Sequence, residues 1–431
     1  MPFSNFTNLD FDQIKTSIKD YLRANSNFSD FDFDGANFSV LIDTLAYNTY
    51  ITAFNSNMVV NESFLDSATL RQNVVSLANN IGYTPRSKTA ANAQISFDVE
   101  TSSSVNSVTL EPGLVCTGDI DNETYTFAIT EPISVNVVNN KAKFENINVF
   151  QGTYIEQTFQ YDGSLDQRFI LDNDSIDTSK IAVYIKHSGE SENVLGVQYS
   201  LVNDIVSVDS NSKIYLVNEV QDERYELKFG DGFFGKKLGS NKQTDDGDQI
   251  TVRYIVTDGE DGNGAQRFVF SGKLTDSGGN PITVQSPVIP SESTVKSQNG
   301  GNIEPIDSIK YYSPITYSSQ NRAVTARDYE AIIKKIYPNT ESVSVIGGEE
   351  LDPPEFGTVA ISIKPKNGNL VSDFSKNQIL SGLKQYSISG INQKLIDLKL
   401  LFIEISTNVY YNDSLVSVSY THLTLPTICS V

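Results

Sequence analysis

The stretch LRQNVVSLANNIGYTPRSKTAANAQISFDV, residues 70–99, holds the change of pattern that decides the fold. Its first half carries Leu70, Val74, Leu77 and Ile81 at three- and four-residue spacing, the apolar stripe of a helix. Gly82 follows, placed to end that helix with a left-handed residue. The second half alternates, Ile95-Ser-Phe97-Asp-Val99, as a half-buried strand does. A helical period gives way to a period of two.

Toward the N-terminus the helical reading continues. Asp10 followed by Gln13 resembles a capping box, and Phe11, Ile14, Ile18, Tyr21 and Leu22 share one face. Phe38, Leu41, Ile42 and Leu45 open a second stripe that runs to Asn57. Residues 1–88 therefore read as a helical segment of three amphipathic helices. So short a bundle buries little by itself, so its stripes pack either on one another or on helices of other chains.

Toward the C-terminus, residues 89–288 read as an antiparallel β region. Ile181-Ala-Val183-Tyr-Ile185, Ile214-Tyr-Leu216-Val and Ile250-Thr-Val252-Arg-Tyr254 alternate between Gly, Asp and Asn turns. The spacing leaves open whether this is one body or two subdomains, a sandwich or an open barrel. Residues 289–320 read as a linker, through Pro290-Ser-Glu-Ser-Thr, Asn299-Gly-Gly-Asn302 and Tyr312-Ser-Pro314, and as a plausible hinge. In residues 321–417, Thr325 caps a helix that runs through Ile336 and ends at Pro338. Val343 and Val345, then Val359, Ile361 and Ile363, give two strands around the loop Gly347–Gly357. Ile379, Leu380, Leu383 and Tyr386 give a second helix, and Leu401, Ile403 and Ile405 a further strand. This is a small two-layer α/β domain, and the whole chain is of α+β multidomain class. A length of 431 residues suits roughly two to four domains.

Residues 418–431 break the pattern. Val418–Thr427, VSYTHLTLPT, resembles the translation of a transposon-end adapter used in sequencing libraries. We expect residues 418–431 not to belong to the protein, whose own chain would then run on past residue 417.

Composition excludes several function classes. Acidic residues outnumber basic ones 53 to 32, a formal charge of −21, with no Lys/Arg run, so nucleic-acid binding is not expected. No stretch approaches the roughly 20 apolar residues of a membrane helix, and the N-terminus has no secretory pattern, so neither membrane insertion nor export is expected. The two cysteines, Cys116 and Cys429, and the two histidines, His187 and His422, are too few and too scattered for a disulfide scaffold, a zinc site or a Cys–His nucleophile. His187 closes an alternating strand, where an edge or surface role is the ordinary one.

Two loops tempt a chemical reading. Gly230-Asp-Gly-Phe-Phe-Gly235-Lys236-Lys237 fits the start of a phosphate-binding loop but has Lys237 where Ser or Thr should hold magnesium, and no helix follows. Asp258-Gly-Glu-Asp-Gly-Asn263-Gly is acidic but lacks the alternate-position oxygens and distal Glu of a calcium loop. Both read as turns, with glycine serving the backbone. No catalytic, cofactor or metal residue is assigned, and the chain is expected not to be an enzyme.

Four segments, in this order, resemble the baseplate wedge protein of T-even-like contractile-tailed bacteriophages, within the baseplate J-like family. They are Phe38–Asn48 with Asn61–Leu65 and Asn79–Ser87; Leu110-Glu-Pro-Gly113 before Tyr125-Thr-Phe127; Phe229-Gly-Asp-Gly232 with Asp258-Gly and Gly262-Asn263; and Ser308–Lys310, Asn321–Thr325, Asp328-Tyr329 and Phe356–Val359. The resemblance implies a structural subunit of the virion, assembled in the host cytoplasm, that dimerises with itself and joins its N-terminal helices to two other wedge subunits. It also implies a C-terminal domain that links neighbouring wedges into a ring around the tail tube, widening when the sheath contracts. Carried onto this chain, the candidate contacts are Phe38, Leu41, Ile42, Leu45, Leu70, Val74, Leu77 and Ile81 in the helices, and Arg322, Asp328 and Tyr329 in the last domain. The rival readings are a virion-borne polysaccharide-degrading enzyme, a receptor-binding adhesin, and the equivalent ring component of a contractile injection system.

Overall fold

The computed structural model describes residues 10–398 apart from 26–36, 102–104, 122, 165, 188–189, 191–194, 203–207, 242–245, 283–287, 291–293, 321 and 367–369. The expected strand at Leu401–Ile405 and the tail 418–431 lie outside the described residues. The chain divides into two units, Met1–Gln320 and Asn321–Val431.

The first unit opens with helices α1 (Phe11–Asn25), α2 (Asn37–Glu62) and α3 (Arg71–Asn80). Asp10 caps α1, its Oδ1 accepting from the N–H groups of Asp12 at 3.0 Å and Gln13 at 3.1 Å. Gly82 ends α3 with φ +81°, and its N–H donates to the Asn79 carbonyl at 3.0 Å.

Among the described residues the β region has two large sheets with separate cores, beside the short pair Ser240–Asn241 and Asp246–Gly247. The first, of nine strands among the described residues, is built from Asn92–Gln151 and completed by Gln266–Phe270, Leu274–Asp276 and Val295–Gln298. Phe97 stacks on Phe144 at 4.9 Å in its core, and Phe127 meets Phe268 edge-on at 5.1 Å. The second sheet, of seven strands among the described residues, lies between Thr153 and Val256, around Val183, Ile185, Tyr215, Leu227 and Val252. It is thus an insertion between strands of the first. The crossing point is Gly152, which alone separates strand Lys141–Gln151 of one sheet from strand Thr153–Gln160 of the other.

The stretch 289–320 differs from the linker read from its composition. Ile289 is buried in the first core, and Val295–Gln298 pairs antiparallel with Asn92–Glu100. Gly301 bridges to Thr89, and helix α4 (Ile306–Ser319) packs on α3. Its glycine serves close approach rather than flexibility: a Cβ on Gly300 would lie 2.2 Å from the Gly259 carbonyl oxygen. Asn263 clamps that backbone from both sides, donating to the Gly300 carbonyl at 3.0 Å and accepting from its N–H at 2.8 Å. The hinge expected here is therefore filled by strand and helix that pack within the first unit.

Among its described residues the second unit carries helices α5 (Ala326–Ile336) and α6 (Asp373–Leu383) on a sheet of three strands. Thr340–Gly347 pairs antiparallel with Thr358–Pro365, which pairs parallel with Asn392–Leu395. Tyr329, Ile332, Ile333, Ile361, Ile363, Ile379 and Leu383 fill the space between helices and sheet. The strand Asn392–Leu395 has one apolar residue among its four, too little to register as a period.

Candidate assembly surface

Helix α2 carries its apolar residues on the wrong side for a helix that ends at its own core. Its buried positions are Ser39, Ile42, Ala46, Asn57 and Asn61, spaced at helical intervals but mostly small or polar. Val40, Leu41, Leu45, Tyr47, Phe54 and Val59 are exposed. An exposed cluster of large apolar side chains of this kind marks an interaction surface.

The polar groups of α2 strengthen that reading. Thr44, Thr49, Thr52, Ser56 and Ser63 turn their hydroxyls back onto the carbonyls of Val40, Leu45, Asn48, Thr52 and Val59, at 2.7–2.9 Å. Hydroxyls satisfied by their own backbone ask nothing of solvent. The helix has two charges, Asp43 and Glu62, and both are committed to the chain itself. Asp43 pairs with Lys15 of α1 at 2.5 Å. Glu62 accepts from Thr69, Leu70 and the Asn73 side chain and so ties the end of α2 to the entry of α3. Burial raises the pKa of its carboxyl, but the hydrogen bonds from Asn73, Thr69 and Leu70 outweigh that and leave it below the usual carboxylate range.

A buried polar cluster fixes these helices to the β region. Arg71 of α3 forms a two-pronged pair with Glu219, at 2.6 and 3.0 Å, and donates to the Glu304 carbonyl. The Glu304 carboxylate accepts from the Tyr83 hydroxyl at 2.7 Å, the Arg86 N–H at 3.0 Å and the Ser308 hydroxyl at 2.8 Å. Burial lifts the Tyr83 phenol far above its ordinary value, and the neighbouring Glu304 lifts it further. No sequence pattern joins these residues, because the partners of Arg71 stand 148 and 233 positions away.

The candidate contact residues divide accordingly. Ile42 and Val74 are buried within the first unit, so their side chains hold it together. Leu41, Leu45 and Leu70 are exposed, and Phe38, Leu77 and Ile81 are half-buried. Arg322 is exposed, whereas Asp328 and Tyr329 are buried. Asp328 completes a capping box with Thr325, and Tyr329 sits in the core of the second unit, so both serve the domain's own fold.

The two tempting loops are satisfied turns. Asp231 accepts from the N–H groups of Phe233 and Phe234, both at 2.8 Å, which takes the amides a phosphate would need. Asp258 accepts from Gln151 Nε2 at 2.6 Å, and no group of three metal-ligating side chains occurs among the described residues.

A family model described as "Baseplate wedge protein gp6-like, helical domain" matches residues 10–83, the segment of α1, α2 and α3. A second, "Baseplate structural protein gp6, C-terminal domain I", matches residues 325–396. The two matches lie toward opposite ends of the chain. Between and across those ends it is 29% identical over 415 residues to the baseplate wedge protein gp6 of Enterobacteria phage T4, covering 93% of this chain and 60% of that protein. This chain therefore spans about three-fifths of the length of that relative. A chain in the 6-fold symmetrised cryo-EM structure of the anti-feeding prophage baseplate aligns over 89% of this chain and 70% of that one, at 11% identity and a TM-score of 0.28, too low to argue from.

Proposed function

We propose that this chain is a structural subunit of a phage tail baseplate wedge, acting as a scaffold and not as an enzyme. The observation that carries the reading is α2: an apolar outward face on a helix whose every charge is spent within the chain. That face lies in the segment matched by the helical-domain model, which supports a contact with other wedge subunits there. The exposed contact residues would be Leu41, Leu45 and Leu70, with Phe38, Leu77 and Ile81 at the margin. Residues 321–417, with Arg322 exposed on them, would supply contacts between wedges in a ring around the tail tube, and two copies of the chain would pair as a homodimer. The ring would rearrange when the sheath contracts. The place of work is then the virion, after assembly in the host cytoplasm, with no nucleic-acid or membrane partner.

The test is co-expression with the other wedge subunits of the same phage, followed by purification and measurement of stoichiometry. A stable complex is expected, and Leu41→Glu with Leu45→Glu is expected to abolish it while the variant stays folded. Recovery of an isolated monomer that ignores every wedge subunit, or a complex untouched by the double variant, overturns the reading.

A further inference from the structure

His187 follows strand Ala182–Lys186 and stands between two charged groups. Its Nδ1 lies 3.0 Å from Oδ1 of Asp248, and its Nε2 lies 3.3 Å from Nζ of Lys236. Asp248 is buried, and its second oxygen accepts from the Gly239 N–H at 2.7 Å. Lys236 directly follows the turn Gly230–Gly235, whose Phe233 and Phe234 are 83% and 59% exposed. The backbone of the turn is tied down by the Gly235 and Lys236 N–H groups, which donate to the Asp209 and Ser212 carbonyls.

The chemistry of the three groups fixes their roles. An ammonium can only donate and a carboxylate can only accept. A neutral imidazole between them must accept at Nε2 and donate its proton from Nδ1, which selects one tautomer. A proton added from solvent goes to Nε2 and turns that atom into a donor facing another donor, both now cationic. The Lys236 contact then breaks, whereas the Asp248 contact gains charge. An Asp–His pair facing a hydroxyl would activate a nucleophile; facing an ammonium, it positions a side chain.

We propose that His187 is a proton-operated pin: when neutral it ties Lys236, and with it the Phe233–Phe234 turn, to the buried Asp248, and when protonated it lets Lys236 go. Among the described residues the other charged or titratable groups at this place are Glu190, whose Oε2 accepts from the His187 backbone N–H at 3.2 Å, and Tyr199, a buried phenol in the field of Asp248. Asp248 is buried and Lys236 is partly reached by solvent, so Lys236 is the member with room to move away. The inference does not depend on the wedge reading.

Ring-nitrogen NMR shifts of the full chain at about pH 8, assigned against His187→Gln, are expected to report the Nδ1–H tautomer. The opposite tautomer overturns the proposal. Amide exchange at Gly235 and Lys236, corrected for its intrinsic pH dependence, is expected to accelerate about threefold or more between about pH 8 and about pH 5. Lys236→Met is expected to remove that pH response. A wild-type chain with no response, or a variant that keeps it, overturns the proposal. If Lys236→Met does not fold, the tautomer and the wild-type exchange still decide.

Discussion

Gly152 is a single atom's worth of space on which two sheets depend. Its φ is +135°, and a Cβ there would meet the Val256 carbonyl oxygen at 2.3 Å. Both conditions oppose any side chain. Gly152→Ala is expected to destabilise the fold by about 3 kcal/mol or more, read from urea unfolding. Arg71 makes a different demand. Its pair with Glu219 is largely buried, at 16% and 6% side-chain exposure, so Arg71→Met strands a carboxylate and is expected to lose about 3–5 kcal/mol at neutral pH. Burial already raises the Glu219 pKa, and the bond from Arg71 pulls against it. Without the guanidinium the folded-state pKa rises further, so the folded state takes up a proton before the unfolded state does. Stability of the variant relative to wild type is then lost as pH rises through that raised value and regained as pH falls below it. A difference between variant and wild type that stays flat from neutral to mildly acid pH would refute this account. Cys116 is the quiet case: burial pushes its thiol up to about 12, so alkylating reagents at mildly alkaline pH are expected to leave it intact until the protein unfolds.

Among the elements, α5 and α2 show two degrees of legibility. In α5 the cap, the apolar face and the stop are local: Thr325, Ile332-Ile333 and Pro338 stand within a few residues of the groups they serve. Thr325→Ala is expected to cost about 1 kcal/mol, measured by thermal unfolding. In α2 the position of the helix was legible, and the sequence left open whether Phe38, Leu41, Ile42 and Leu45 pack within the chain or on helices of other chains. Of the four only Ile42 is buried. A signal for the outward face stands in the sequence too, as two charges in 26 residues. A water-facing helix carries more, because its outer side must be solvated. Leu41→Glu with Leu45→Glu is accordingly expected to leave the isolated chain's unfolding free energy within about 0.5 kcal/mol per site, as exposed positions allow. A large loss of stability would mean that the outward face is used by the chain itself. Residues 289–320 teach the converse, since Gly, Ser and Asn mark tight packing there as readily as a loose connection.

For the whole molecule, three hydrophobic cores among the described residues match the division into two large sheets, one inserted in the other, and a separate α/β unit. The formal charge of −21 acts at this scale. Two copies of so acidic a chain repel, and salt screens that repulsion. The proposed pairing of two copies is therefore expected to tighten as sodium chloride rises from about 50 mM to about 300 mM, by sedimentation equilibrium. Weaker association at high salt would point instead to contacts made by opposite charges.

The sequence by itself determined the class of each segment: helices first, then antiparallel strands, then a small α/β unit. These follow from local periods and from composition, which neighbours along the chain express directly. Tertiary structure alone decided that one sheet is inserted in another at Gly152, that Glu219 and Glu304 meet Arg71, and which side of α2 faces out. Each of those depends on residues more than a hundred positions apart or on which surface another element covers, and no local period carries that information.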